Sequence, residues 1–545
     1  MWGMARSRST KPASLTGPKL REASPSKSRR PPLAGAVMRI ELDRHRGALP
    51  FFQQIRAYIR DAVVEGSLAP GIRLPPERQL ATMLGVSRAT VMRAYQELVS
   101  DGLIEAAPSR GTVVARLDEK PEVGAPLPPG GDRSWMLGLP PLTVLGSDAG
   151  LLREIVGTLG RDDVISFATS APPEDLIPVA EIGRALDEVL AEQGGRALSY
   201  CPVDGAPELR DVLVERMRAA GALASGDSVI VLSGSTQGLA LASRVLVEPG
   251  DEVVVEAPTY IGTVQTFELG HARLIGVPVD ADGIRTDALE DVLARRRIRL
   301  MVLQPNFHNP TGATLSPARR ERVLWLARRY GVPILEDDAY GALYHDPPAP
   351  TSLKQLDRHG MVIYLSSFSK TLAPGLRVAF MCAPEPVVGR ISLAKQFSDL
   401  NTNMLGQAVA ARLLSSGGYD ANLVRLRSAA RDRMRLLLSE LDRMPDVLER
   451  DLDPRGGLHV WCRLRVGDAQ TAAASSAKAG VAILSGMAFY PRGMQGTAGR
   501  DRIRLSLPVS DSESIAEGSR RLQGALRHLP RRVEPRAARR LSVVV

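Results

Sequence analysis

Between Leu49 and Val114 the apolar residues first follow a helical period and then switch to strand-like alternation. Phe52, Ile55, Ile59 and Val63 recur at helical spacing, and Gly66 with Pro70-Gly71 ends that helix. After Pro75-Pro76 a second short helix is expected over Glu77–Met83, with Leu80 and Leu84 as its apolar stripe and Gly85-Val86 as the turn. Ser87 suits the N-cap of a third helix running to about Ser100, since its hydroxyl can accept from an unpaired first-turn N–H. In that helix Val91, Ala94 or Tyr95, and Leu98 face inward, leaving Arg88, Ala89, Arg93 and Gln96 to solvent. Leu103–Glu105 and Thr112–Val114 flank Pro108-Ser109-Arg110-Gly111 as a short hairpin with a basic tip. The pattern is an N-terminal winged helix-turn-helix, residues 39–115.

Residues 116–146 are crowded with Pro and Gly and lose periodicity, as a linker does. A second domain, 147–530, then alternates apolar runs with helix-compatible sequence. Val229–Leu232, Glu252–Val255, Leu300–Leu303, Ile334–Glu336 and Val362–Leu365 each lead into a polar loop and then a helix. Such alternation predicts an α/β fold with a mostly parallel sheet. One helix is bounded by its own chemistry: Ser316 as N-cap, Pro317 at the first position, Val323, Leu326, Ala327 and Tyr330 on one face, Gly331 just past the end. From about Leu441, the Gly456-Gly457 turn, a strand Leu458–Leu464 and the run Arg502–Leu507 suggest a small α+β domain.

A chain of 545 residues exceeds one hydrophobic core. Its net charge of +10 invites a nucleic-acid reading, but residues 1–38 hold +7 and residues 529–545 hold +4, leaving about −1 elsewhere. The charge sits in two tails, 1–38 and 531–545, both expected to be disordered, and does not argue for DNA by itself. Met38 opens the first patterned stretch, so the start is either Met1 or Met38. No apolar run is long enough to span a bilayer, and Cys201, Cys382 and Cys462 are too dispersed for a disulfide framework or a zinc site. A cytoplasmic location is expected, with no membrane and no metal.

The chemistry collects where strands end, the place where open α/β sheets bind ligands. Lysine is scarce, eight residues against 62 arginines, so Lys370 in Ser366-Ser367-Phe368-Ser369-Lys370 stands out as a nucleophile among hydroxyls. Asn309-Pro310-Thr311-Gly312 and Glu336-Asp337-Asp338-Ala339-Tyr340 follow two other strands. Ser233-Gly234-Ser235-Thr236-Gln237-Gly238 lies between a strand and a helix, where N–H groups can hold a phosphate. Each alone is an ordinary turn or surface feature.

Together and in this order, with Tyr260 after Ala257-Pro258-Thr259 and Arg377 after Lys370, they resemble the fold-type-I, aspartate-aminotransferase-like enzymes over roughly residues 150 to 530. The resemblance implies a large mostly parallel domain plus the small α+β domain, and pyridoxal 5′-phosphate bound as a Schiff base on Lys370. It further implies Asp337 at the pyridine nitrogen, Asn309 and Tyr340 at the phenolic oxygen, and Tyr260 stacked on the ring. Ser235, Thr236, Ser367 and Arg377 fall at its phosphate positions, and Tyr200 at the position that reaches the neighbouring subunit's phosphate. Arg504 falls at the clamp for a substrate carboxylate; Arg502, on the same face of the strand, is not separated from it by periodicity.

The N-terminal unit resembles the GntR-family winged helix through Leu74-Pro75-Pro76-Glu77-Arg78 and Val86-Ser87-Arg88-Ala89-Thr90-Val91, departing at Met92 where many relatives carry arginine. Matched to it, Arg78, Ser87, Arg88 and Thr90 meet the major groove of a DNA operator, and Arg110 and Gly111 approach the minor groove. The fusion resembles the MocR/GabR group of bacterial regulators, which implies a head-to-tail homodimer responding to pyridoxal 5′-phosphate or a small amino compound. A working aminotransferase with an accessory head, and a regulator whose body has lost the cofactor, stay open at this point.

Overall fold

The computed structural model describes residues 50–115 and 163–532, with gaps at 65–66, 70, 102, 108–110, 495–497 and 509–511, together with Ile40 and residues 42–44. The expected linker, the wing tip with Arg110, and the tails apart from Arg531 and Arg532 lie outside the described residues. The chain divides after Leu139 into two compact units, a head and a body.

In the head, α1 (Phe51–Val64), α2 (Glu77–Leu84) and α3 (Arg88–Ser100) precede β1 (Ile104–Ala107) and β2 (Gly111–Val114). Ile55, Ile59, Leu80, Val91 and Leu98 form its core, and Ala94 and Tyr95 are both buried. Tyr95 reaches past the core, and its hydroxyl donates to the Pro75 carbonyl at 2.8 Å, tying α3 to the entry of α2. The hairpin pairs Ile104 with Val114 and Ala107 with Gly111. Gly111 therefore opens β2 rather than capping the wing. Its φ of +76° is one that only glycine adopts readily, and the Arg73 guanidinium packs against it.

After a short strand β3 (Ile165–Ser166), the body is built on an eight-stranded sheet: β4 (Asp227–Leu232), β5 (Glu252–Ala257), β6 (Arg273–Asp280), β7 (Gly283–Ile284), β8 (Ile298–Leu303), β9 (Ile334–Asp337), β10 (Val362–Ser367) and β11 (Ala379–Pro384). Their spatial order is β4-β11-β10-β9-β8-β5-β6-β7. The run from β10 to β6 is parallel, and β11 runs antiparallel to both its neighbours. Val253 and Val255 enter one apolar cluster while Val254 enters another. Both faces are covered, which is why these strands read as continuous apolar runs.

The small domain carries an antiparallel sheet ordered 448–450, 459–464, 502–506, 484–485. It does not draw only on residues after Leu441. Ile165–Ser166 pairs in parallel with Val481–Ala482, and the Phe167 carbonyl accepts from the Ser506 N–H. That early segment carries Ala168 and Ser170 to the site.

Candidate functional site

The carboxyl ends of β4, β5, β8, β9 and β10 open onto a cavity of about 160 Å³. Each strand delivers one part of its lining: Ser235 and Thr236 after β4, Tyr260 after β5, Asn309 after β8, Asp337 at the end of β9, Lys370 after β10. Tyr340 and Arg377 complete it. Residues far apart in sequence meet because a parallel sheet aligns its strand ends on one edge.

Gln304, which the sequence motifs did not single out, organises the floor. Its Nε2 donates to Asp337 Oδ2 at 2.7 Å, and its Oε1 accepts the Asn309 N–H at 3.2 Å. Asp337 Oδ1 and Asn309 Nδ2 are buried without partners. Burial, reinforced by the charges of Asp338 and Glu256 and opposed by Gln304, pushes the Asp337 carboxyl up to about 6. Burial also draws the Lys370 amine down to about 8; the Arg504 and Arg377 charges act the same way, while Asp337 opposes them. Lys370 Nζ donates to the Ser170 carbonyl, a partner with no signature in the sequence. Burial raises the Tyr260 and Tyr340 hydroxyls, so both stay protonated as donors.

At the opposite end, Ser235 is the first residue of the helix Ser235–Leu246. Gly234 before it has φ +131°, and a Cβ there would fall 2.4 Å from an Arg377 guanidinium nitrogen. Glycine thus lets the guanidinium approach the helix N-terminus, where free N–H groups and the helix dipole favour an anion. Ser369 lines the cavity and Ser367 does not; the Ser367 hydroxyl donates to Ser369 Oγ at 3.0 Å and accepts the Ser369 N–H.

The structure separates the two arginines. Arg504 is buried, donating from Nη1 to Asn309 Oδ1 at 3.1 Å and from Nη2 to the Ala168 carbonyl, with Nε unpartnered. Burial lowers it to about 10. Arg502 instead pairs with Asp451 at 2.8 Å toward the surface. Tyr200 is 81% exposed and takes no part in the cavity of its own chain.

These residues fit pyridoxal 5′-phosphate. A partly buried amine, an unpaired carboxylate oxygen, an unpaired amide donor and a glycine-opened anion cradle supply what an aldehyde, a ring nitrogen, a phenolic oxygen and a phosphate each need.

On the head, Ser87 Oγ accepts the Thr90 N–H at 3.2 Å, so it caps α3. Arg78 and Arg88 are exposed. Arg88 forms a two-nitrogen contact with Glu77, at 3.2 and 3.1 Å. Arg93 stacks its guanidinium on Phe52 at 3.8 Å. The Glu77 partnership crosses from α2 to α3, and α3's own periodicity could not reveal it.

Comparison with known proteins matches residues 162–522 to the family described as aminotransferase class I and II, and residues 51–114 to bacterial regulatory proteins, gntR family. The chain is 30% identical to the uncharacterized HTH-type transcriptional regulator YisV of Bacillus subtilis, over 76% of this chain and 84% of that protein. It is 37% identical to the 2-aminoadipate transaminase of Thermus thermophilus, over 70% and 94%. Among solved structures, the α-aminoadipate aminotransferase LysN of Thermus thermophilus, crystallised with N-(5′-phosphopyridoxyl)-L-leucine, superposes with a TM-score of 0.64 at 35% identity, covering 71% of this chain and 98% of that one.

Proposed function

The chain belongs to the aminotransferase class I and II family, with a gntR-family segment ahead of it, and on that premise we propose that it is a DNA-binding transcriptional regulator. In this reading it holds pyridoxal 5′-phosphate at Lys370 and responds to the cofactor or to a small amino compound. The observation that carries it is the coexistence in one chain of an exposed basic face on α3 and a cavity that gathers Lys370, Asp337, Asn309, Tyr340 and Arg377. A metabolic enzyme has no evident use for the first.

Pyridoxal 5′-phosphate, when bound, supplies a carbonyl that condenses with amines and a ring that withdraws electrons. Lys370 is its attachment point, with an amine near 8 that is unprotonated often enough at neutral pH to act as a nucleophile. Asp337 would hold a proton on the ring nitrogen, and Asn309 and Tyr340 would donate to the phenolic oxygen. Tyr260 would cover the ring face. Ser235, Thr236 and Arg377 would take the phosphate, with Ser369 standing at the cavity where Ser367 was expected. Arg504 would clamp an effector carboxylate, using the donor that has no partner. Arg78 from α2 and Arg88 and Thr90 from α3 would meet an operator, with Ser87 capping α3.

The working unit in this reading is a homodimer, because winged helices read paired half-sites and the exposed Tyr200 suits a neighbouring subunit's phosphate. The resembled regulators arrange it head-to-tail. A DNA target and the lack of a membrane-crossing helix among the described residues favour the cytoplasm.

DNA footprinting with and without pyridoxal 5′-phosphate and candidate amines tests the proposal. A protection pattern that shifts with ligand is expected; an invariant pattern would remove the sensing role. The intact Lys370, Asp337 and Arg504 also favour a second reading, amino transfer from an amino acid to a 2-oxo acid. Sustained multiple turnover by a protein that binds no DNA would make that the better account.

A further inference from the structure

The turn that opens the helix Ser235–Leu246 is held from outside itself. Gly234 brings no capping side chain. The Ser233 N–H donates to Gln237 Oε1 at 2.7 Å, and both side chains then converge on one carboxylate oxygen. Asp399 Oδ2 accepts from Ser233 Oγ and from Gln237 Nε2, each at 2.7 Å. The other oxygen, Oδ1, accepts from Lys395 Nζ at 2.9 Å, and Lys395 is wholly buried. Buried Thr402 adds its hydroxyl, 3.2 Å from Ser233 Oγ.

Asp399 lies 166 residues beyond Ser233 and does not line the cavity. Its grip falls on both sides of Gly234, Ser235 and Thr236. A helix N-terminus binds an anion well only when its free N–H groups already converge, and a turn passing through glycine at φ +131° has freedom to lose. Lys395 balances the carboxylate charge, so Asp399 can order the turn without repelling an anion bound there.

We propose that Asp399 is a positioning residue for the cofactor phosphate, acting through Ser233 and Gln237 to hold the anion-binding turn in shape. This rests on the reading that Ser235, Thr236 and Arg377 take that phosphate.

The test compares the affinity of the full-length protein for pyridoxal 5′-phosphate and for pyridoxal, which lacks the phosphate. Titrations are followed by absorbance in the wild type, Asp399→Asn and Ser233→Ala, alongside thermal melts. The amide of Asp399→Asn sets donors against donors. Loss of hydrogen bonds to a charged group predicts roughly tenfold or more weaker binding of pyridoxal 5′-phosphate, with pyridoxal changed by less than about twofold. Ser233→Ala should move the same ratio in the same direction, less far. If Asp399→Asn does not fold, Ser233→Ala decides alone.

Equal losses for both compounds would reduce Asp399 to general support of the fold, and undiminished affinity for pyridoxal 5′-phosphate would remove its role; either outcome overturns the proposal. A wild type that binds the two compounds equally well would instead sink the phosphate-site reading beneath it.

Discussion

The head and the body use charge in opposite ways. On the head, the Arg88 side chain is 56% exposed and its partner Glu77 also meets solvent. In the body, Asp337 and Arg504 are buried and Lys370 is partly so, and each is moved away from its ordinary protonation range. An exposed guanidinium keeps its full charge, acts on a polyanion at a distance and is screened by salt. Enclosed groups interact more strongly because water is absent, and their altered proton affinities suit covalent chemistry with a carbonyl. The same residue types therefore serve attraction in one unit and reactivity in the other.

The largest expected effect tests the body. Lys370→Ala should abolish the visible absorption of the cofactor-bound protein, since no other lining residue is an amine. An unchanged spectrum would place the attachment elsewhere and break the contrast at its root. On the head, Arg88→Ala should weaken operator binding about 10- to 100-fold in a DNA-shift assay, matching roughly 1–3 kcal/mol for a base-reading arginine. It should also flatten the salt dependence by about one counterion if Arg88 meets a phosphate. Full retention of affinity would refute the proposed docking face.

Asp337→Asn sharpens the electrostatic half of the comparison. The folded carboxyl, near 6, lies above its ordinary 3.8, so the unfolded chain releases its proton first as pH rises. Stability of the cofactor-free protein from this group is thus full below about pH 4 and declines as pH climbs through about 6. The variant should lack that decline and be more stable at neutral pH, by on the order of 3 kcal/mol. Parallel pH–melting curves for the two proteins would show that burial of Asp337 carries no such penalty. The smallest effect belongs to the head: Ser87→Ala should cost about 1 kcal/mol through loss of the α3 cap. A larger loss in DNA affinity than in head stability would show that the hydroxyl also meets DNA.

Local features were the ones legible in the sequence. Ser87, Pro317 and Gly331 mark helix ends by steric and hydrogen-bonding properties that each residue carries alone, and the structure uses them at those ends. The five strands expected for the large sheet are all present, slightly longer than their apolar runs. Three further strands of the eight-stranded sheet were missed, of which Gly283–Ile284 is only two residues long. Arg273–Asp280 contains Gly276 and Pro278, which read as strand breakers, and Ala379–Pro384 runs antiparallel, outside the expected strand-then-helix rhythm.

Which chemistry is available could be read along the chain: a lone lysine among hydroxyls, a carboxylate at a strand end, a glycine-rich turn, and basic residues on one face of a short helix. Those follow from residue type and spacing over a few positions. It took the packed fold to show that Gln304 joins Asp337 to Asn309, that Ser170 faces Lys370, that Arg504 rather than Arg502 is buried, and that Asp399 holds Ser233 and Gln237 together. Each of those contacts depends on burial or on a partner brought across the fold, and neither burial nor long-range proximity has a period that a single chain can display.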